Sequence, residues 1–152
     1  WQYFVWATII FVIVGALMTL FKPIDFFLQK NLFFWMPDVN TGLDGTYSKT
    51  ILIVTYSVFL LINVFLVPMV EELYFRGYVL PRMKGKYALL FHSFLFAAIH
   101  VWSPWMIIAR TVGFLPIIIG TTKKNIYVGM IVHMLCNATG FVPGVIYISK
   151  MM

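Results

Sequence analysis

Two adjacent carboxylates, Glu71 and Glu72, stand at the end of a long apolar run, and Arg76 follows four residues after the second. The chain has only five acidic residues, so two side by side in an apolar setting require an explanation. Ionisable groups at membrane depth are costly, and they commonly mark functional sites. The pair could contact lipid headgroups or bind Arg76, or it could supply a carboxylate for acid–base catalysis. Its spacing makes Glu72 the better partner for Arg76.

Later apolar runs also carry polar side chains, which recur at intervals of four residues. His92, Phe96 and His100 form one such series, and His133 and Asn137 form another. Residues four apart lie on the same face of a helix, so each predicted helix would present its polar groups on one side. A single histidine or asparagine within a membrane usually makes a hydrogen bond between helices, but their combination with two glutamates indicates a site.

The rise of an α-helix gives the depth of these groups in a membrane. At about 1.5 Å per residue, four of them lie roughly 12 to 20 Å from the basic ends of their helices. The four are Glu71, His100, His133 and Asn137. We therefore predict that they meet at one level inside a helical bundle.

Other polar residues in the apolar runs have structural interpretations. His92 falls near the end of its predicted helix and is interpreted as an interfacial residue. Arg110 is predicted to bind a backbone carbonyl or Asn63 within the bundle. Cys136 is the chain's one cysteine, so no disulfide framework or cysteine metal motif exists, and we expect a small core residue there.

The composition excludes a soluble protein. Hydrophobic residues make up 62% of the chain and charged residues only 11%, whereas soluble domains are about one quarter charged. Several apolar runs are long enough to cross a hydrocarbon layer, which takes roughly 20 helical residues. These features predict an all-α fold, a polytopic transmembrane helical bundle.

The net charge of +6 would suggest nucleic acid as a partner in a soluble protein. Here the basic residues cluster in two short connections between apolar runs, a distribution typical of cytoplasmic loops, so we expect no nucleic-acid binding. These residues are Arg82, Lys84 and Lys86 in one connection and Lys123 and Lys124 in the other.

The apolar runs predict about five membrane helices and one interfacial segment within a single domain of residues 1–152. The helices are expected at residues 1–21, 50–76, 87–102, 104–120 and 126–148. Residues 22–49 are expected to form the interfacial segment, at 24–35, and a loop, at 36–49. The motif-bearing core is residues 50–148, and residues 121–125 form a turn.

Two further expectations come from single positions. Pro68 lies inside the second predicted helix, so it should free the carbonyl near Val64 and kink the helix just before the glutamates. Because Trp1 already lies within an apolar run and no initiator Met precedes it, the chain is interpreted as a fragment of a longer protein.

Three motifs follow one another along the chain. They are Glu71-Glu72-x-x-x-Arg76, Phe96-x-x-x-His100 and His133-x-x-x-Asn137. In this order they resemble the CPBP family of intramembrane glutamic proteases, which includes CAAX prenyl proteases and bacteriocin-processing enzymes. The resemblance covers residues 68–140.

The resemblance implies a metal-independent intramembrane endopeptidase without a cofactor. Glu71 would be the base that activates a water molecule, and His100 would assist it. His133 and Asn137 would form the oxyanion hole. The supporting residues would be Glu72, Arg76 and Phe96. We expect a multi-pass protein of a prokaryotic cell membrane.

The substrate implied is a peptide or membrane protein within the bilayer. Prenylated CAAX peptides, leader peptides of bacteriocins or pheromones, and segments of membrane proteins would all fit a membrane cavity.

Two other interpretations use the same residues. Glu71, His100 and His133 could bind zinc and leave the fourth position for water, although the usual His-Glu-x-x-His signature is missing. Alternatively, the polar cluster could hold together a non-catalytic membrane partner or regulatory protein of the same fold.

Overall fold

The computed structural model describes residues 1–37 and 41–151, and this part of the chain contains helices and no strands. The helices are α1 (Gln2–Asn31), α2 (Lys49–Arg82), α3 (Ala88–Ala98), α4 (Pro104–Lys123) and α5 (Ile126–Lys150). All except α3 are long and apolar enough to cross a membrane, and α3 is a shorter apolar helix. The protein is a multi-pass helical bundle, which confirms the predicted fold class.

The first helix is longer than predicted. It continues through Pro23 to Asn31, so residues 24–31 of the expected interfacial segment extend this helix, and their place at the membrane surface stays a prediction. Proline is tolerated inside membrane helices because the backbone groups that it frees find other partners. The predicted loop at 36–49 includes residues 38–40, which lie outside the described residues. In the described part of this loop, Gly42 and Gly45 adopt positive φ values of 70° and 87°.

The third helix is shorter than predicted and the last two are longer. α3 ends at Ala98, so His100 lies in the connection to α4 and not on a helix. α4 extends to Lys123, which reduces the predicted turn at 121–125 to two residues. The Asn125 side chain accepts a hydrogen bond from the Tyr127 N–H and so caps the start of α5.

The second helix changes its winding four times along its length. It is α-helical at Lys49–Phe59 and Val67–Glu71, π-helical at Leu60–Leu66 and Glu72–Val79, and ends in a 3₁₀ turn at Leu80–Arg82. π-helical turns are rare and occur frequently at functional sites. One such segment ends five residues before Glu71, and the other begins at Glu72.

The π-helical winding changes which carbonyl Pro68 leaves free. The Val67 N–H donates to the carbonyl of Ile62, five residues back. In this register the donor for the Asn63 carbonyl would be residue 68, and proline has no N–H. The Asn137 side chain takes that place, with Nδ2 2.7 Å from the Asn63 oxygen. The sequence analysis placed the free carbonyl near Val64 because it assumed α-helical winding, and the kink stays a prediction.

α2 and α5 run antiparallel and are joined along their length. At one end the Lys49 Nζ atom donates to the Met151 carbonyl at 2.6 Å. Towards the other end, aromatic rings of the two helices pack together, and the Asn137 side chain bonds to the Asn63 carbonyl. The contact between Glu72 and His133 comes last. These pairs are Tyr56 with Gly144, Phe59 with Phe141, Asn63 with Asn137, and Glu72 with His133.

The two basic connections lie at the same end of the bundle, as the sequence predicts. Lys124 lies over the ring of Trp6, with Nζ 4.1 Å from its centroid, which places the start of α1 beside the connection between α4 and α5. Gly77, near the end of α2, lies beside Ile126 at the start of α5. The assignment of this end to the cytoplasm stays a prediction from the positive-inside rule.

Candidate active site

Four polar side chains of the sequence motifs line one cavity of about 570 Å³ inside the bundle. Its polar lining includes Glu71, His100, Arg110, His133 and Asn137. Its apolar wall comes from α1, α2 and α4. The members of that wall include Phe11, Val14, Met18, Phe59, Val67 and Phe114. The structure therefore brings together, around one cavity, the four side chains that were predicted to converge.

Glu72 and Arg76 form a buried ion pair below this cavity. Their side chains are fully buried, and the Arg76 guanidinium lies 3.0 Å from Glu72 Oε1. The same carboxylate oxygen lies 3.1 Å from His133 Nδ1. Glu72 therefore holds Arg76 and His133 together, as a supporting residue would.

Glu71 has a different position from its neighbour. Its side chain is 19% exposed, whereas that of Glu72 is fully buried. Glu71 Oε2 lies 3.5 Å from His133 Nε2 and borders the cavity. One imidazole thus lies between the two carboxylates, with Nδ1 towards Glu72 and Nε2 towards Glu71. This shared histidine was not foreseen, because sequence spacing gives no indication of which side chains face one another across helices.

The contacts of His100 define its neutral tautomer. Nδ1 lies 2.9 Å from the Phe96 carbonyl oxygen, and that bond requires a proton on Nδ1. Nε2 of the neutral ring then carries a lone pair. His100 also contacts the rings of Trp102 and Phe114, with centroids 5.0 and 5.9 Å away. The ring is therefore held by three neighbours, and its basic nitrogen can accept a hydrogen bond.

Asn137 combines a structural contact with a place in the cavity wall. One N–H of its amide donates to the Asn63 carbonyl at 2.7 Å. An amide nitrogen has two N–H groups, so one donor is left. Asn137 lies one helical turn after His133, and both line the cavity. Both residues therefore present polar atoms to the same cavity, and their joint role as two donors to an oxyanion stays a prediction.

Phe96 packs at the centre of the cluster. Its ring is fully buried, lies 4.0 Å from the Arg76 guanidinium, and contacts both histidine rings edge-on. An arginine over an aromatic face is attracted by the ring electrons, and a dry setting strengthens this attraction. Phe96 thus positions Arg76, His100 and His133 relative to one another.

Three other residues are corrected or refined by the structure. His92 is fully buried, with Nε2 2.8 Å from the Phe75 carbonyl, so the prediction of an interfacial residue is wrong. It lies in the bundle because α3 packs its polar face against the π-helical part of α2. Arg110 binds a backbone carbonyl as predicted, that of Ser103, but also lines the cavity. Cys136 contributes to the cavity wall.

Gly129 is a site residue that the sequence analysis missed. A Cβ atom there would collide with both Glu72 Oε2 and Thr121 Oγ1. These two oxygens are themselves buried and have no hydrogen-bond partner within the described residues. Gly129 lies four residues, or one helical turn, before His133. This spacing is the one feature of the sequence that could have indicated a role for Gly129 in the site. Its lack of a side chain lets Glu72 reach His133.

Replacing Gly129 with alanine is expected to displace the Glu72 carboxylate and with it His133. Misplacing a catalytic geometry by about 1 Å can cost about a hundredfold in rate, and overpacking costs about 1 to 3 kcal/mol of stability. We expect the kcat of the purified Gly129→Ala variant to be about a hundredfold lower than that of the original protein in a peptide-cleavage assay.

Gly77→Ala provides the matched control. Its Cβ would lie 3.6 Å from Ile126 Cδ1, an ordinary van der Waals distance, and Gly77 lies near the same end of the bundle. We expect this variant to cleave at nearly the original rate. Equal rates for Gly129→Ala and the original protein would contradict the role given to Gly129.

The zinc interpretation depends on whether three polar side chains are grouped as metal ligands. Within residues 1–37 and 41–151, no three His, Cys, Asp or Glu side chains are placed to hold a metal ion. The zinc interpretation would need three ligands from Glu71, His100 and His133.

One comparison with known proteins gives a match, to a family model. A family model described as "Type II CAAX prenyl endopeptidase Rce1-like" matches residues 53–139, which is more than half of the chain and includes all three motifs. No curated protein and no solved structure matches the chain.

Proposed function

Because the chain belongs to the Rce1-like family of type II CAAX prenyl endopeptidases, we propose that it is a metal-independent intramembrane glutamic endopeptidase. The family supports a peptidase in a membrane. The observation that supports the finer proposal is the contact of Glu71 with His133 at 3.5 Å on the wall of a cavity that His100 also lines.

The first step is the activation of water by Glu71. Its carboxylate lies at the cavity wall and accepts a proton from a water molecule, whose oxygen attacks the peptide carbonyl carbon. The lone pair on His100 Nε2 accepts a second hydrogen bond from the same water and orients it. General-base catalysis of this kind contributes about a hundredfold to ten-thousandfold in rate.

The second step is the stabilisation of the oxyanion. The proton on Glu71 can pass to His133 Nε2, since the two atoms lie 3.5 Å apart. The resulting imidazolium donates Nε2–H to the oxyanion while Glu72 holds Nδ1–H, and the free N–H of Asn137 provides the second donor. Loss of one donor of this type typically costs a hundredfold to a thousandfold in kcat. When the intermediate collapses, the imidazolium proton passes to the leaving amine.

The shape of the cavity suits an apolar peptide. Its volume of about 570 Å³ is within the range of pockets that enclose small ligands, and aromatic and aliphatic side chains form most of its wall. A prenylated CAAX peptide carries its apolar group into the same bilayer. We propose such peptides as the substrate class.

Hydrolysis and metal dependence can be tested together. We expect the purified protein to cleave a prenylated CAAX peptide after complete treatment with a zinc chelator, and ¹⁸O from labelled water should appear in the new carboxylate. The measurement is mass spectrometry of the products, with metal analysis of the same sample. Loss of cleavage on chelation, restored by added zinc, would instead identify a zinc protease.

If the metal-replete protein cleaves no peptide, the non-catalytic interpretation gains support.

A further inference from the structure

A cation borders the cavity in addition to the residues of the proposed chemistry. Among the described residues that line it, Arg110 is the one Lys or Arg side chain. Arginine is always charged and presents five N–H donors in a planar array that matches a carboxylate. A charge of this kind in an apolar cavity indicates an anionic group on the ligand.

The position of Arg110 is fixed by the connection that carries His100. Its two terminal nitrogens donate to the Ser103 carbonyl at 3.0 Å and to the Ser103 hydroxyl at 2.7 Å. Ser103 is buried, and its own N–H donates to the His100 carbonyl at 3.1 Å. Arg110 and His100 are therefore held in a fixed relation by one short segment.

The guanidinium retains donors and charge for a ligand. Ser103 takes two of its five N–H groups, which leaves three. Asp25 on α1 is close enough to interact with it electrostatically. Arg110 nevertheless forms no direct ion pair within the described part of the chain, where the ion pairs are those among Glu71, Glu72, Arg76 and His133. A carboxylate entering the cavity could bind two of the remaining donors at once.

We propose that Arg110 binds the C-terminal carboxylate of the peptide substrate, an inference that rests on the proposed endopeptidase function. Both a peptide carboxylate and a lipid phosphate would present a pair of anionic oxygens to Arg110. The peptide carboxylate is favoured because Arg110 lines the same cavity as Glu71 and His100 and is half-buried there. Arg110 is thus a specificity residue that sets the distance between the end of the peptide and the bond that is cleaved.

The test compares two forms of one prenylated CAAX peptide, one with a free C-terminal carboxylate and one with a carboxamide. We expect kcat/KM to be about tenfold to a hundredfold higher for the carboxylate form, mainly through KM, since a hydrogen bond to a charged group is worth about 1.5 to 3 kcal/mol. Arg110→Gln should remove the preference, so that the ratio of kcat/KM for the carboxylate form to that for the amide form falls to about one. Arg110→Lys should retain part of the preference.

The same comparison can be made without catalysis. We expect a Glu71→Gln variant to bind the carboxylate peptide more tightly than the amide by a similar factor, and an added Arg110→Gln change to remove the difference. If the protein cleaves neither peptide but this binding preference is found, the endopeptidase proposal fails and the anion subsite stands.

Three results would overturn the inference. They are equal binding of the two peptides to Glu71→Gln, equal cleavage of the two by the original protein, and a preference that survives in Arg110→Gln. If Arg110 binds a lipid phosphate instead, the two peptides should bind equally to Glu71→Gln and be cleaved equally by the original protein. If Arg110→Gln does not fold, the original protein and Arg110→Lys still decide between these outcomes.

Discussion

Replacing Glu71 with glutamine is expected to reduce kcat for peptide cleavage about a hundredfold to ten-thousandfold, the usual contribution of a general base. Glutamine has nearly the same shape but cannot accept a proton from water at neutral pH. Because Glu71 is the more exposed of the two acids and borders the cavity, the fold should tolerate the change. The measurement is single-turnover cleavage of a prenylated CAAX peptide by the purified variant.

Peptide binding and thermal stability serve as controls for this variant. The unfolding midpoint in detergent should match that of the original protein, and the dissociation constant for the peptide should change little. If Glu71→Gln turns over within a few-fold of the original rate while binding normally, another group must activate the water.

Replacing Glu72 with glutamine is expected to have its main effect on stability. The change leaves the Arg76 guanidinium buried without a carboxylate partner and replaces the charged acceptor for His133 Nδ1 with a neutral amide oxygen. Breaking a buried ion pair by removing one member typically costs about 3 to 5 kcal/mol. We expect a decrease of that size in the free energy of unfolding, measured by denaturant titration in mixed micelles.

A double variant separates this effect from a general loss of packing. Replacement of both members of a buried pair by apolar residues is often neutral, so Glu72→Met with Arg76→Met should recover most of the stability lost in Glu72→Gln. Activity should not recover, because methionine at position 72 has no oxygen to accept the hydrogen bond from His133 Nδ1. Equal stability of Glu72→Gln and Glu71→Gln would contradict the division of roles between the two acids.

Composition and spacing were sufficient for the outline of the fold. The apolar runs gave the membrane helices, because burial in lipid requires about 20 consecutive apolar residues and little else. The bond between Glu72 and Arg76 was predictable too, since residues four apart on a helix lie side by side. The convergence of Glu71, His100, His133 and Asn137 around one cavity followed from their depth.

Other features depend on contacts that spacing does not specify. The sequence could not show that His133 lies between two carboxylates or that His92 turns inward to the Phe75 carbonyl, because both depend on how helices rotate against each other. Nor could it show the π-helical winding of α2. Pro68 indicated where a backbone carbonyl would lack its donor. Because an α-helical register was assumed, that carbonyl was assigned to Val64 instead of Asn63.

The π-helical winding also bears on the match between this helix and the thickness of the bilayer. From Asn63 to Gly77, α2 advances fourteen residues, while α5 covers the same stretch from Asn137 to Ile126 in eleven. At about 1.5 Å per residue the α5 stretch measures roughly 16 Å, so α2 rises only about 1.2 Å per residue there. A 34-residue helix of ordinary pitch would extend roughly 51 Å and protrude well beyond a hydrocarbon layer of about 30 Å. Axial compression shortens the stretch that carries both glutamates by roughly 4 Å, which removes a small part of this excess and leaves the rest to tilt or to helix ends outside the hydrocarbon layer.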